Sequence, residues 1–593
     1  MGQRFHALSI DDLAALAGGG DAEPAVVATL RTGQLTKHKL LLHGVVRLGG
    51  RAMPDAAPAL QECHELLAKM ETEDPDQVAL VVGNPHVGAW AARCLRQLSS
   101  GGSSARSDAS HLAAVTAAAA IRVGYPCTLA LRPVDGTIML PTLGRARVQG
   151  GDQASLTVTG PMQAAISVGH QKVSISGSPE QDGPDWLGLR WLTFGDRRIP
   201  LDDLDPYRNY GRCPLTGRLT PSEADHWRRA LDDAWQLLST HYPGYAATLR
   251  EGITSLVPIM LRADDKNISA TSGDAFAAVA ASTPADGVAL ALALIHEFQH
   301  AKLCAVIDLE PLFRRHSEQL FYAAWRPDPR PAGALYHGVF AHMGVTDFWR
   351  IRRGLATGSD RIVAEVEFTR WLGQTLDAAT RLDGHSELTD AGQGLISQIV
   401  ARLEGWLDEP VPAQARELAE MTAADHMSCW RLRNMSPDEH AVTELAHSYL
   451  SGGTARNAVP TEIKPPDDDE PVRNARADLL YQKLCDPGRF AGDAADSRDD
   501  PEISCVQGDY VRAAQGYLAQ IRIDPASRHA WSGLALVSEP GSSLRRIPEV
   551  IYAVYHELKQ MSVSPIDVFT LAEWLSLPAQ IDDVPGVSGV VNH

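Results

Sequence analysis

Hydrophobic positions along the chain change period four times. Up to about residue 120 they recur at helical spacing, as in VVATLRTGQLTKHKLLLHGVV and CHELLAKM. Apolar side chains that return every three to four residues share one face, which predicts amphipathic helices over 1–120. From 121 to 204 the period shortens to two. ASLTVTG, AAISVG, QKVSISG and LGLRWLTFG are short, rich in β-branched and aromatic residues, and separated by Gly, Pro and Asp. That is the pattern of strands in an antiparallel sheet. A turn-rich stretch, DLDPYRNYGRCPLTGRLT, leads into a helical region over 205–452, with HWRRALDDAWQLLSTHY and VAEVEFTRWLGQTLDAA as its clearest members. Residues 453–504 hold PPDDDEP and DAADSRDDPE, whose charge and proline predict a mobile acidic linker. Residues 505–593 return to helical spacing. The expected class is α+β, mainly helical.

Within that last region GDYVRAAQGYLAQIRIDPASRHAWSGLALV is similar to one tetratricopeptide-like unit, and an ordinary helical hairpin fits it equally well. The balance of 54 Lys+Arg against 73 Asp+Glu gives −19. A chain this acidic is a poor general binder of nucleic acid, which wants a basic face. The eight cysteines are scattered and no C-x-x-C pair occurs, so they read as reduced thiols rather than a disulfide framework. MGQRFHALSIDDLAALAGGG lacks a basic segment followed by an apolar core, which predicts a cytoplasmic protein without a secretory signal. The apolar run from His111 to Leu131 is broken by Arg122 and Gly124-Tyr125-Pro126, so no membrane span is expected.

The chemistry concentrates in LALALIHEFQHAKL. His296 and His300 stand four apart on a helix that Thr283 is expected to cap, with Pro284 at its first position and Asp286 in its first turn. Four residues place both imidazoles on one face, one turn apart, the spacing that two ligands of one metal need. Imidazole suits zinc, iron, copper and nickel alike, so the pair leaves the metal open. A metzincin would continue H-x-x-G-x-x-H, but Leu303 and Val306 stand at the corresponding positions. The remaining candidates for a third ligand are Glu310, Glu318, Glu365, Glu367 and His342 in GVFAHMGVTDFWR. Between them AAWRPDPRPAGALYHG puts Arg326 and Arg330 on a loop stiffened by Pro327, Pro329 and Pro331. Such a loop suits the bidentate capture of a carboxylate, and it equally suits arginines that pair with nearby acids.

SATSGDAFAAVAASTPAD, LALIHEFQHAKL, AWRPDPRPAGALYHGVFAHMGVTDFWR and AWSGLALV together resemble the actinobacterial HExxH-motif peptide-modification family, which occurs alone and fused to radical SAM cyclophane-forming maturases. The resemblance covers most of the chain and is weakest over 121–200 and the linker. It implies an iron(II)- and 2-oxoglutarate-dependent oxygenase that uses O₂ to β-hydroxylate residues of a ribosomally made precursor peptide. It also implies His296, His300 and His342 as metal ligands, and Arg326 or Arg330 as the residue meeting the cosubstrate's distal carboxylate. A radical SAM maturase of the same pathway is the further partner it implies. His337 departs from the polar residue, such as Gln, expected there. Three neutral histidines leave such a site one negative charge short, which Glu297 would supply by orienting a ligand or a water. The alternative is a zinc metallopeptidase with Glu297 as general base on metal-bound water. Ser269 and Ser272 would line a peptide groove or a polar turn, and the β-rich region would offer a leader peptide a sheet edge.

Overall fold

Helical spacing in the first part of the chain becomes α1 (Ile10–Gly18), α2 (Glu23–Ala52), α3 (Ala57–Glu73), α4 (Pro75–Val82), α5 (Pro85–Ser100) and α6 (Ala105–Val123). The computed structural model describes residues 6–18, 23–102, 104–211, 213–261, 268–314, 319–455, 459–464, 475–497, 499–562 and 565–575. It is 61% helix and 13% strand, which gives the mainly helical α+β class. The chain divides into two compact units, Met1–Pro311 and Leu312–His593, a division that falls inside the span 205–452.

In the first unit, local chemistry sets the helix ends. Asp74 and Asn84 accept backbone bonds from Gln77 and His86, each followed by a proline at the first helical position. Gly124, at φ 79°, closes α6. The strands follow as β1 (Cys127–Leu131), β2 (Thr137–Leu140), β3 (Gly144–Arg147), β4 (Ala154–Gly160), β5 (Gln163–Val168), β6 (Gln171–Ser176), β7 (Trp186–Gly188), β8 (Arg190–Phe194) and β9 (Arg197–Leu201). β4 shows the period-two rule plainly: Ala154, Leu156 and Val158 are buried while Ser155 and Thr157 face outward. An antiparallel sheet in the order β1-β4-β5-β6 packs Leu156, Ile166 and Ile175 into one core with Leu112, Val115 and Ile121 of α6.

The antiparallel pairing expected over 121–204 holds among β1–β9, and the region expected to be helical over 205–452 adds strands of its own. After α7 (Pro221–His241) and α8 (Pro243–Gly252) come β10 (Ser255–Pro258), β11 (Ser269–Ala270) and β12 (Ala278–Ala281). The sheet order is β11-β12-β10-β9-β8, and β10 runs parallel to both β9 and β12. A helical crossover separates β9 from β10, the connection that parallel neighbours require. β10 and β12 are buried throughout, so they carry no alternation to read. β12 leads into α9 (Gly287–Leu309), which ends the unit. This helix is long and apolar enough to cross a membrane by length and composition, yet 67% of its most apolar window is buried and it packs on α2, α7 and α8.

The second unit begins with β13 (Leu320–Phe321), β14 (Arg330–Pro331), α10 (Ala332–Leu355), α11 (Gly358–Leu382), α12 (Asp390–Glu404), α13 (Ala413–Asn434), β15 (Met435–Pro437), α14 (Glu439–Leu450) and β16 (Thr461–Ile463). It continues with α15 (Ala475–Cys485), α16 (Pro487–Asp496), α17 (Pro501–Gln507), α18 (Tyr510–Ile523), α19 (Arg528–Val537), α20 (Ser543–Arg546), α21 (Pro548–Gln560) and α22 (Val568–Trp574). The mobile linker expected over 453–504 is therefore corrected for its second half, which is helical, while PPDDDEP lies outside the described residues. Arg476, 2% exposed, explains the difference: it donates to Asp425 at 2.7 Å, Glu502 at 3.1 Å and Ser532 at 2.6 Å. Leu480, Phe490 and Ile503 form a core of their own beside it. α18 and α19 make the expected hairpin, with Gly533 packed so closely on Tyr517 that a Cβ there would lie 2.3 Å from the ring. All eight cysteines are free thiols.

Candidate functional site

The metal-motif helix α9 starts three residues later than its sequence suggests. Asp286, not Thr283, is the N-cap, accepting from the Ala289 amide at 2.8 Å, and Pro284 lies ahead of the helix with its carbonyl bonded to His226 Nε2. Aspartate caps as strongly as threonine, and Asp286 has the extended backbone that a cap needs. Close packing then fixes the helix. A Cβ on Gly287 would lie 2.5 Å from Asp233 Cβ of α7, and one on Gly252 of α8 would meet the Phe298 ring at 1.8 Å. Lys302 forms an ion pair with Glu23 of α2, at 1% and 2% side-chain exposure.

On this helix His296 and His300 lie edge to face with ring centroids 4.8 Å apart. Apolar packing pushes His296 down to about 4, although 24% of its side chain stays accessible; the neutral, lone-pair-bearing imidazole is its form near neutral pH. Glu297 is 3% exposed and its carboxylate is engaged on both oxygens. Ser269 Oγ donates to Oε1 at 2.7 Å, and Thr271 Oγ1 lies 2.6 Å from Oε2 and 2.9 Å from the Glu297 carbonyl. The His296 Nε2 to Glu297 Oε1 separation is 3.8 Å, too long for a hydrogen bond. Ser269, expected on a peptide groove or polar turn, lies on β11 and orients this carboxylate. Glu310 caps the C-terminal end of α9, and Glu318 lies outside the described residues.

In the second unit the arginine loop is closed by a short ladder that pairs Phe321 with Arg330. Arg326 and Arg330 both grip Asp328, at 2.8 and 2.9 Å. Burial alone would raise the Asp328 carboxyl; the two guanidiniums outweigh it and hold it below its usual range. Asn434 of α13 donates to the Pro327 carbonyl at 2.8 Å and so ties the loop down from behind. His342 lies on α10, 7% exposed, with Nδ1 2.9 Å from the Gly338 carbonyl. A carbonyl can only accept, so Nδ1 carries a proton and donates it. Trp325 stacks on the ring at 4.3 Å and 17°, and Trp371 packs against it at 4.6 Å. His337, on the same helix, is pushed down to about 4 by burial. The other carboxylates weighed as ligands are occupied: Glu365 pairs with Arg353, and Glu367 accepts from the Tyr481 hydroxyl.

A second cluster, absent from the sequence reading, lies in the first unit. The ligand atoms of His86, Asp202 and Asp205 come within 4.8 Å of one another, and all three residues are buried. Its hydrogen bonds are closed by protein. His86 Nδ1 meets Asp202 Oδ2 at 3.0 Å and Nε2 meets the Tyr210 hydroxyl at 3.3 Å. Asp202 Oδ1 accepts from the Leu204 and Asp205 amides. Arg208 donates to the backbone carbonyls of Asp205 and Asp202. Burial would lower His86, but the Asp202 charge and bond hold it above its usual range, while Asp202 falls to about 2 and burial lifts Asp205 to about 6. The imidazole and both carboxylates find their partners within the protein, so we read the cluster as a structural knot tying α5 to the end of β9.

Thr271, Trp325, Trp371 and Gly338 escaped the sequence reading as site residues. The tryptophan of AWRPDPRP and the hydroxyl pair of SATS were the available signals. Comparison of the chain with protein-family models and with curated proteins returns no match.

Proposed function

We propose that the protein is an iron(II)- and 2-oxoglutarate-dependent oxygenase that β-hydroxylates residues of a ribosomally synthesised precursor peptide. The proposed ligands are those the resemblance implies, His296, His300 and His342. The donor chemistry fits: burial keeps His296 neutral, His296 and His300 lie one turn apart, and His342 donates through Nδ1, so Nε2 would be its ligand atom. Iron(II) held there, with 2-oxoglutarate and O₂, would supply the oxidising power to turn a peptide C–H into C–OH.

The observation that carries this reading over a zinc peptidase is the state of Glu297. A peptidase needs that carboxylate turned to a metal-bound water as a general base. Here both oxygens accept hydroxyl hydrogens from Ser269 and Thr271. A carboxylate so held serves as a fixed negative charge beside the histidine pair. In the second unit, one arginine of the loop would take the distal carboxylate of 2-oxoglutarate while the other keeps Asp328. The apolar walls given by Trp325 and Trp371 keep water from His342.

The test is reconstitution of the full chain with iron(II) under anaerobic conditions, followed by 2-oxoglutarate, O₂ and the short peptides encoded beside its gene. Succinate, with a peptide heavier by one oxygen atom, is the expected result. Peptide fragments formed with zinc and without O₂ would replace this reading by the peptidase.

A further inference from the structure

We propose that the aromatic residues around His342 form an electron-hopping route that discharges a stray oxidant, with Tyr481 as its outer terminus and Glu367 as its proton acceptor. The inference rests on the oxygenase reading for its oxidant and on the second unit alone for its geometry. His342 is held between two indoles, at 4.3 Å to Trp325 and 4.6 Å to Trp371. Glu367 stands one turn before Trp371 on α11. Its carboxylate accepts from the hydroxyl of Tyr481 on α15. Tyr481 is only partly buried, so the route runs from a buried histidine to a surface that a soluble reductant reaches.

A second arm has the same form. Trp325 packs against the cluster of Tyr322 and Trp430, whose rings lie 5.2 Å apart, and the Tyr322 hydroxyl meets His426 Nδ1 at 2.8 Å. Oxidised phenol is a strong acid, so a tyrosine gives up an electron readily only when a base already holds its proton. Both tyrosines here have such a base, Glu367 in one case and His426 in the other. Ordinary aromatic packing explains the stacked rings. It does not call for a buried carboxylate that takes the phenol O–H one turn from Trp371.

The electrons balance as follows. A one-electron oxidant derived from dioxygen at His342 takes one electron from Trp371. Trp371 regains it from Tyr481, whose phenolic proton moves to Glu367. A soluble thiol returns one electron to the tyrosyl radical while the proton comes back from Glu367. Two such turns convert two thiols to one disulfide and release two protons to solvent.

Pulse radiolysis of the metal-free full chain tests the route without relying on iron. Azide radicals oxidise tryptophan first. The expected result is an indolyl absorbance that decays with growth of phenoxyl absorbance, in a phase independent of protein concentration. Tyr481→Phe removes that phase, and a nitroso spin trap with peptide mass spectrometry places the adduct of the native chain on Tyr481. Glu367→Gln, which keeps the phenol's hydrogen bond but not its base, slows the phase, and so covers the case in which Tyr481→Phe fails to fold. An unchanged phase in a folded Tyr481→Phe or Glu367→Gln chain, or adducts on neither Tyr481 nor Tyr322, overturns the proposal. A chain that binds no iron but shows the phase loses the oxygenase reading alone; one that hydroxylates peptide without the phase loses only the route.

Discussion

Glu297 takes its role from its neighbours. In H-E-x-x-H the glutamate is ordinarily read as a base, but here two hydroxyls occupy it. Glu297→Gln keeps a side chain that can accept from Ser269 and exchange a bond with Thr271. The expected outcome is a folded protein whose metal titration is preserved and whose hydroxylation is reduced rather than abolished; complete loss of a proteolytic activity in the same variant would mark the peptidase. Asp205 gives a prediction in pH. Its folded value, about 6, lies above the unfolded 3.8, so its contribution to stability is full below about pH 4 and is lost as pH rises through about 6. Asp205→Asn keeps the bond from the Tyr207 amide through its carbonyl oxygen. Chemical denaturation across that window should show a flatter pH dependence than the native chain, and higher stability at pH 7. At this scale the sequence revealed the His296–His300 pair, because four-residue spacing on a helix is local. It could not reveal that Ser269 and Thr271 reach Glu297 from 28 and 26 residues upstream, or that His86 meets Asp202 across 116 residues.

Elements were legible wherever one face met water. ASLTVTG and QKVSISG are strands because their alternation survives in the burial pattern, and α10 forms where the spacing of GVFAHMGVTDFWR predicts it. β10 and β12 have no exposed face, so nothing in SLVP or AVAA alternates. The acidic stretch after residue 474 reads as solvated, because a charge looks the same in sequence whether or not Arg476 is there to meet it. Packing between elements yields a sharper prediction at Gly338. A Cβ there would fall 2.2 Å from the Trp325 indole, so Gly338→Ala must push the ring off His342. Overpacking of this kind costs about 1–3 kcal/mol. Urea titration should register that loss, and near-ultraviolet circular dichroism should show a weakened tryptophan signal while the far-ultraviolet helix signal stays.

For the whole molecule the question is whether a metal belongs to the folded state. A ligand that binds only folded protein stabilises it by RT ln(1 + [L]/Kd), about 2.7 kcal/mol at a hundredfold excess over Kd. In a chain this long each kcal/mol moves the melting temperature by a few degrees at most. Iron(II), or cobalt(II) as an air-stable probe, should therefore raise the melting temperature by several degrees, and a chelator should reverse it. The net charge of −19 complicates the reading, since an acidic protein collects divalent cations over its surface. Salt separates the two effects. At 0.15 M the Debye length is about 8 Å, which screens exposed carboxylates much more than a half-buried histidine pair. Magnesium, which prefers oxygen ligands, serves as the control for surface binding. The specific shift should survive salt, be absent with magnesium, and vanish in His296→Ala and in His300→Ala. A shift of equal size in His296→Ala would move the metal elsewhere, and His86→Gln would then show whether the Asp202–Asp205 knot had opened to receive it.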